Sequence, residues 1–92
     1  MKLVIKPWEQ LSRKEINDIF SLRSEVFIVE QECAYQDVDG KDEIADHVML
    51  HIDNELVGYS RVFPKNTYFK EASFGRAVVK KTHRGEGYGH LL

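Results

Sequence analysis

The chain has 92 residues, enough for one small domain or a piece of a larger one. Lys and Arg number 13 against 15 Asp and Glu, a net charge of −2 with His neutral. That balance argues against a general nucleic-acid or membrane-surface binder, since both need a basic excess. The 42% hydrophobic and 30% charged residues are ordinary globular composition and argue against wholesale disorder. Cys33 has no second cysteine to pair with, which removes the disulfide-stapled class of secreted scaffold. The segment Met1 to Gln10 has no apolar targeting core, and no apolar run approaches the ~18 residues of a membrane span. The expectation is a soluble, cytoplasmic protein without a membrane or nucleic-acid partner.

Leu3 to Lys6 reads as a short strand ended by Pro7. Ser12 and Glu15 form a capping box, and the apolar positions Ile16, Ile19, Phe20, Val26 and Phe27 follow at helical spacing, with Arg23 on the same stripe. A helix is predicted from Arg13 to Val29. Glu30 to Glu43 is a polar, acidic loop. His47 to Ile52 and Leu56 to Phe63 alternate as strands, joined by Asp53-Asn54-Glu55 as an antiparallel hairpin. In the second of these, Val57, Tyr59, Arg61 and Phe63 share a side. Pro64 to Glu71 is a longer connection, and Ser73 to Lys80 is a third strand of the run. A glycine-rich turn and a helix start close the chain. The order strand-helix-strand-strand-strand-helix makes an α+β fold with a mainly antiparallel sheet.

The charge is unevenly placed. Glu30 to Asp46 holds seven acids and one base, whereas Arg61 to Arg84 holds seven bases and one acid. Two solvated loops of opposite sign account for this. So does a pairing of one region for a cationic substrate with another for an anionic ligand.

The turn Arg84-Gly85-Glu86-Gly87-Tyr88-Gly89 follows a strand rich in β-branched residues and precedes renewed apolar character. Glycines allow φ > 0 and let a phosphate approach without Cβ atoms in the way. The start of a helix leaves N–H groups unpartnered, and Lys80, Lys81 and Arg84 add positive charge. A diphosphate suits this site; a tight turn with a helix cap is the plainer reading. The nucleoside-triphosphate loop pattern is absent, and His90 breaks the dinucleotide fingerprint.

Ala77-Val78-Val79 with Arg84 to Gly89 resembles the acetyl-CoA site of the GNAT superfamily of N-acetyltransferases. The stretch Leu22-Arg23-x-x-Val26-Phe27-x-Val29-Glu30-Gln31, with Tyr35-Gln36-Asp37-x-Asp39-Gly40-x-Asp42, is similar to the ElaA subfamily. The resemblance implies a GNAT-like acyl-CoA N-acyltransferase fold in truncated form, one incomplete domain over residues 1–92. GNAT domains run to roughly 140–170 residues, and this chain stops at the first turn of the helix after the loop. It also implies acetyl-CoA as co-substrate, no metal, and an amine-bearing small molecule or peptide as acceptor. Amides from Arg84 through Gly85, Glu86, Gly87, Tyr88 and Gly89 would hold the CoA pyrophosphate. Ala77, Val78 and Val79 would face the pantetheine arm and acyl carbonyl through their main chain.

Acyl transfer to an amine needs a proton acceptor. Glu30, Asp37 and Asp39 are the candidates for that role or for binding a cationic amine, with Glu30 and Asp39 carried forward as catalytic candidates; solvated loop carboxylates are the plainer reading. Arg23 reads as an ion-pair partner of one of these acids. His47 and His51 read as exposed or edge-strand histidines without a third metal ligand. Cys33 is an ordinary reduced thiol, Tyr88 packs or flanks a ligand, and Trp8 and Phe63 are core or rim aromatics. The expected function is transfer of acetyl from acetyl-CoA to a primary amine. The alternative is a non-catalytic CoA-binding or protein-interaction module that a partner chain completes, as in a homodimer. A looser echo of acyl-homoserine-lactone synthases, in Arg23-x-x-x-Phe27 and the acidic loop, finds no support in the glycine motif.

Overall fold

The computed structural model describes residues 1–32, 37, 39–64 and 73–92. Cys33, Tyr35, Gln36 and most of the predicted connection from Pro64 to Glu71 lie outside them. Strand β1 spans Lys2–Pro7, helix α1 Arg13–Ser24, β2 Asp46–Ile52, β3 Glu55–Phe63 and β4 Ser73–Val79. The strands form one antiparallel sheet in the order β1-β2-β3-β4. Among the described residues β1 and β4 are its edges.

The capping box forms as the sequence predicts. Ser12 Oγ accepts from the Glu15 N–H at 3.0 Å, and the Glu15 carboxylate accepts from the Ser12 N–H at 2.8 Å. Lys6 pairs with the same carboxylate at 3.0 Å, fastening β1 to the start of α1. The α-helical geometry ends earlier than the apolar periodicity suggests. From Glu25 to Glu30 the chain continues as a wider π-helical segment, which alters the direction in which later side chains project.

Helix α1 packs on one face of the sheet. Its Ile19 and Leu22, with Val26, bury against Met49, Leu56, Tyr59 and Val78. The hairpin turn is tighter than predicted. Asp53 and Asn54 take φ of 53° and 66°, and Glu55 already belongs to β3. This is the left-handed pair that a two-residue hairpin requires, and Asp and Asn tolerate it.

The expected alternation of β3 fails at one point. Leu50 pairs with Gly58 but His51 with Leu56, so Val57 is an extra residue. That bulge places Leu56, not Val57, in the helix-facing cluster with Tyr59. Gly58 sits where any Cβ would press on Leu92 Cδ1 at 3.1 Å and on Leu50 Cβ at 3.3 Å. The end of the chain thus folds back over the sheet and sets the glycine-rich turn at the end of β4.

His47 corrects an expectation. It lies on an inner strand and is 1% exposed. Its Nε2–H donates to the Asp42 carbonyl at 2.8 Å, and its Nδ1 accepts from the Tyr59 hydroxyl at 2.6 Å. A carbonyl can only accept, so Nε2 carries a proton, and the neutral ring is then the Nε2–H tautomer with Nδ1 accepting. Trp8 lies beside it with its ring tilted, ring centroids 5.8 Å apart. Among the described residues no cluster of three His, Cys, Asp or Glu is placed to hold a metal, and no helix is long and apolar enough to cross a membrane.

Candidate acyl-CoA site

β4 ends at Val79 and a short 3-10 turn, Lys81–His83, leads into the glycine-rich loop. Gly85 and Gly87 have φ of 84° and 80°, the left-handed region that favours glycine. A Cβ built on Gly85, Gly87 or Gly89 would meet nothing within 4 Å, so the space in front of the loop is open. The N–H groups of Gly85, Gly87 and Tyr88 form no hydrogen bond to another main-chain carbonyl among the described residues. Val79, His83, Arg84, Gly85, Gly87, Tyr88 and Gly89 line a cleft of about 390 Å³. The closing turn, Tyr88–Leu91, is a single 3-10 turn. Glycine conformation, open approach and unclaimed donors are the features that an anion held by main chain requires.

Arg84 is fixed on two sides. Its Nε donates to the Val79 carbonyl at 2.9 Å, and its two Nη groups grip the Glu30 carboxylate, Nη2 at 2.7 Å from Oε2 and Nη1 on Oε1. The π-helical segment is what delivers Glu30 to this place. The Arg84 hydrogen bond holds the Glu30 carboxyl below the usual range. Lys80, expected to add charge to the loop, pairs with Glu55 at 3.0 Å.

The acidic loop meets three arginines. Asp37 binds Arg23 Nε at 2.8 Å and Arg76 Nε at 3.0 Å. Asp42 binds Arg23 Nη1 at 2.8 Å and Arg61 Nη1 at 3.1 Å. Asp39 binds Arg61 through both oxygens, at 2.9 and 3.0 Å, and Arg76 at 3.4 Å. The six side chains close into a ring of alternating charge that joins α1, the loop, β3 and β4. Arg23, one of its members, is fully buried. The Arg61 hydrogen bond holds the Asp39 carboxyl far below the ordinary carboxylate range, so Asp39 as placed here is a fixed anion. Arg23 is the ion-pair partner that its position on the apolar stripe suggests. Asp42, which the sequence marks only as part of the ElaA-like stretch, completes the ring with Arg61 and Arg76, and none of the three stands out in the sequence as a candidate site residue. The available signal was two arginines inside apolar strands facing an acid-rich loop.

Ala77 lies in a second bulge on β4 and Val78 directly follows it. Gly75 pairs with Arg61 and Val78 with Tyr59, leaving Arg76 and Ala77 opposite Ser60 alone. Arg76 adopts φ of 54°.

The chain is similar in sequence and fold to known proteins. No protein-family model matches the sequence. Protein ElaA of Escherichia coli is 36% identical over 85 residues, which cover 90% of this chain and 56% of ElaA. A UPF0039 protein of Schizosaccharomyces pombe is 41% identical over 93 residues, covering all of this chain and 61% of that protein. Among solved structures, an acyl-CoA N-acyltransferase of Pseudomonas aeruginosa superimposes with a TM-score of 0.93 at 36% identity, over 99% of this chain and 64% of its own. E. coli ElaA gives 0.91 at 32%, over 99% and 63%. The fold is that of the GNAT acyl-CoA N-acyltransferases. Within that superfamily the chain is an ElaA-like member. It spans about six-tenths of the length of the relatives it matches.

Proposed function

We propose that the protein belongs to an N-acetyltransferase that moves an acetyl group from acetyl-CoA to a primary amine, with this chain supplying the CoA-binding half of the site. The observation that carries the reading is the open loop from Arg84 to Gly89, with two left-handed glycines and unclaimed N–H groups beside a bulged edge strand. The likeness to an acyl-CoA N-acyltransferase supports it.

In this reading the loop amides hold the CoA pyrophosphate, and main-chain groups of Ala77, Val78 and Val79 orient the pantetheine arm and polarise the thioester carbonyl. The amine lone pair attacks that carbonyl directly. The C–N bond forms, the C–S bond breaks, and the thiolate of CoA leaves and takes a proton; no acyl-enzyme is required. Glu30 or Asp39 could accept the amine proton only after leaving its arginine. The exchange costs little for the exposed Glu30–Arg84 pair and far more for Asp39 inside the ring.

The test is thermal denaturation with CoA. At a hundredfold excess over Kd, CoA should stabilise the wild-type chain by about 2.7 kcal/mol. Gly87→Val, which forces a β-branched residue into left-handed backbone and fills the approach, should abolish that gain. Retention of the full CoA effect in Gly87→Val removes the loop from the site. Thiol release from acetyl-CoA with a panel of primary amines then separates enzyme from binding module, since CoA binding without turnover identifies the latter.

A further inference from the structure

Arg76 is the one residue of β4 whose backbone is left-handed, a conformation that strains a non-glycine residue. In bulges that use this conformation, the position is usually glycine. Glycine stands immediately before it, at Gly75, yet the left-handed site is occupied by arginine. The guanidinium shows what offsets the strain. Its Nε meets Asp37 at 3.0 Å, and its Nη2 reaches the Asp37 carbonyl at 3.1 Å and Asp39 at 3.4 Å. Those two acids are in turn held by Arg23 and Arg61. Among the six ring residues Arg76 is the one on β4, which stands at the end of the strand order among the described residues.

We propose that Asp37 and Asp39 are positioning residues that act through Arg76 to hold the β4 bulge in shape, and so aim the main chain of Ala77 and Val78 at the acyl-pantetheine end of acyl-CoA. This gives the acidic loop a task on the acyl-CoA side of the site, away from the amine. The inference rests on the CoA reading above.

Two probes separate the two. Adenosine 3′,5′-bisphosphate carries phosphates for the loop but has no acyl arm to lie along β4; acetyl-CoA has both. Isothermal titration of the full chain with each is compared between wild type, Arg76→Gly and Asp39→Asn. Glycine accepts φ of 54° without strain, so Arg76→Gly removes the brace while leaving the backbone free to keep its shape. The expected result is acetyl-CoA binding weakened about five- to tenfold, the scale of one or two main-chain hydrogen bonds, with bisphosphate binding unchanged. Asp39→Asn should move acetyl-CoA binding in the same direction by less, because Asp37 still holds Arg76; it also serves should Arg76→Gly fail to fold. Unchanged acetyl-CoA affinity, or equal weakening of both probes, overturns the brace and leaves the CoA site standing. A wild-type chain that binds no bisphosphate overturns the CoA reading, and the brace with it.

Discussion

His47 is boxed in by Tyr59, Trp8 and the Asp42 carbonyl, with Asp42 and the guanidinium groups of Arg23 and Arg61 close by. Burial lowers its pKa below the ordinary value and the two arginines push the same way, while the Asp42 carbonyl and carboxylate pull it back. The unfolded chain, by contrast, takes up a proton near the ordinary histidine pKa of ~6.5. Below that pH the unfolded state binds the extra proton and the folded state does not, so stability falls as the pH drops. Thermal midpoints should therefore decline from about pH 6.5 downward, before any carboxylate titrates. His47→Gln should flatten that limb; an unaltered profile in the variant would assign it to another histidine.

At the level of elements, the start of α1 depends on two reciprocal hydrogen bonds between Ser12 and Glu15. Ser12→Ala should cost about 1 kcal/mol in denaturant unfolding, without altering CoA binding at the far end of the sheet. This cap, the hairpin and the glycine loop were legible in the sequence because each is a local pattern, written in consecutive residues. The two bulges were not. Nothing within Leu56 to Phe63 marks Val57 as the extra residue; pairing across β2 and β3 decides it. Arg76 likewise carries no glycine to announce a left-handed turn. The π-helical segment is hidden for a similar reason, since apolar spacing through Phe27 fits either helix. Its consequence is large, because it sets Glu30 against Arg84. The sequence suggests an exposed or edge-strand His47 because a polar ring on an alternating strand looks like a surface position until its partners, Tyr59 and the Asp42 carbonyl, are known.

Across the whole molecule, the acidic middle and the basic end of the chain meet in the ring. Charge segregation was visible in the sequence, but the pairing within it is a three-dimensional fact. Three arginines and three aspartates balance to zero in a largely water-free place. Deleting one member leaves an odd charge there, and breaking a buried pair in this way costs about 3–5 kcal/mol. Arg61, 5% exposed, is the natural choice. Arg61→Leu should be damaging by that amount in urea unfolding, and adding Asp39→Asn should recover part of the loss by restoring neutrality. A double variant weaker than Arg61→Leu alone would show that the six do not act as one electrostatic unit.

Such parity has a hereditary side. A lineage that loses one of these residues gains by losing an opposite neighbour soon afterwards. The six positions should therefore drift in matched couples, and a descendant that keeps five of them should be rarer than one that keeps four.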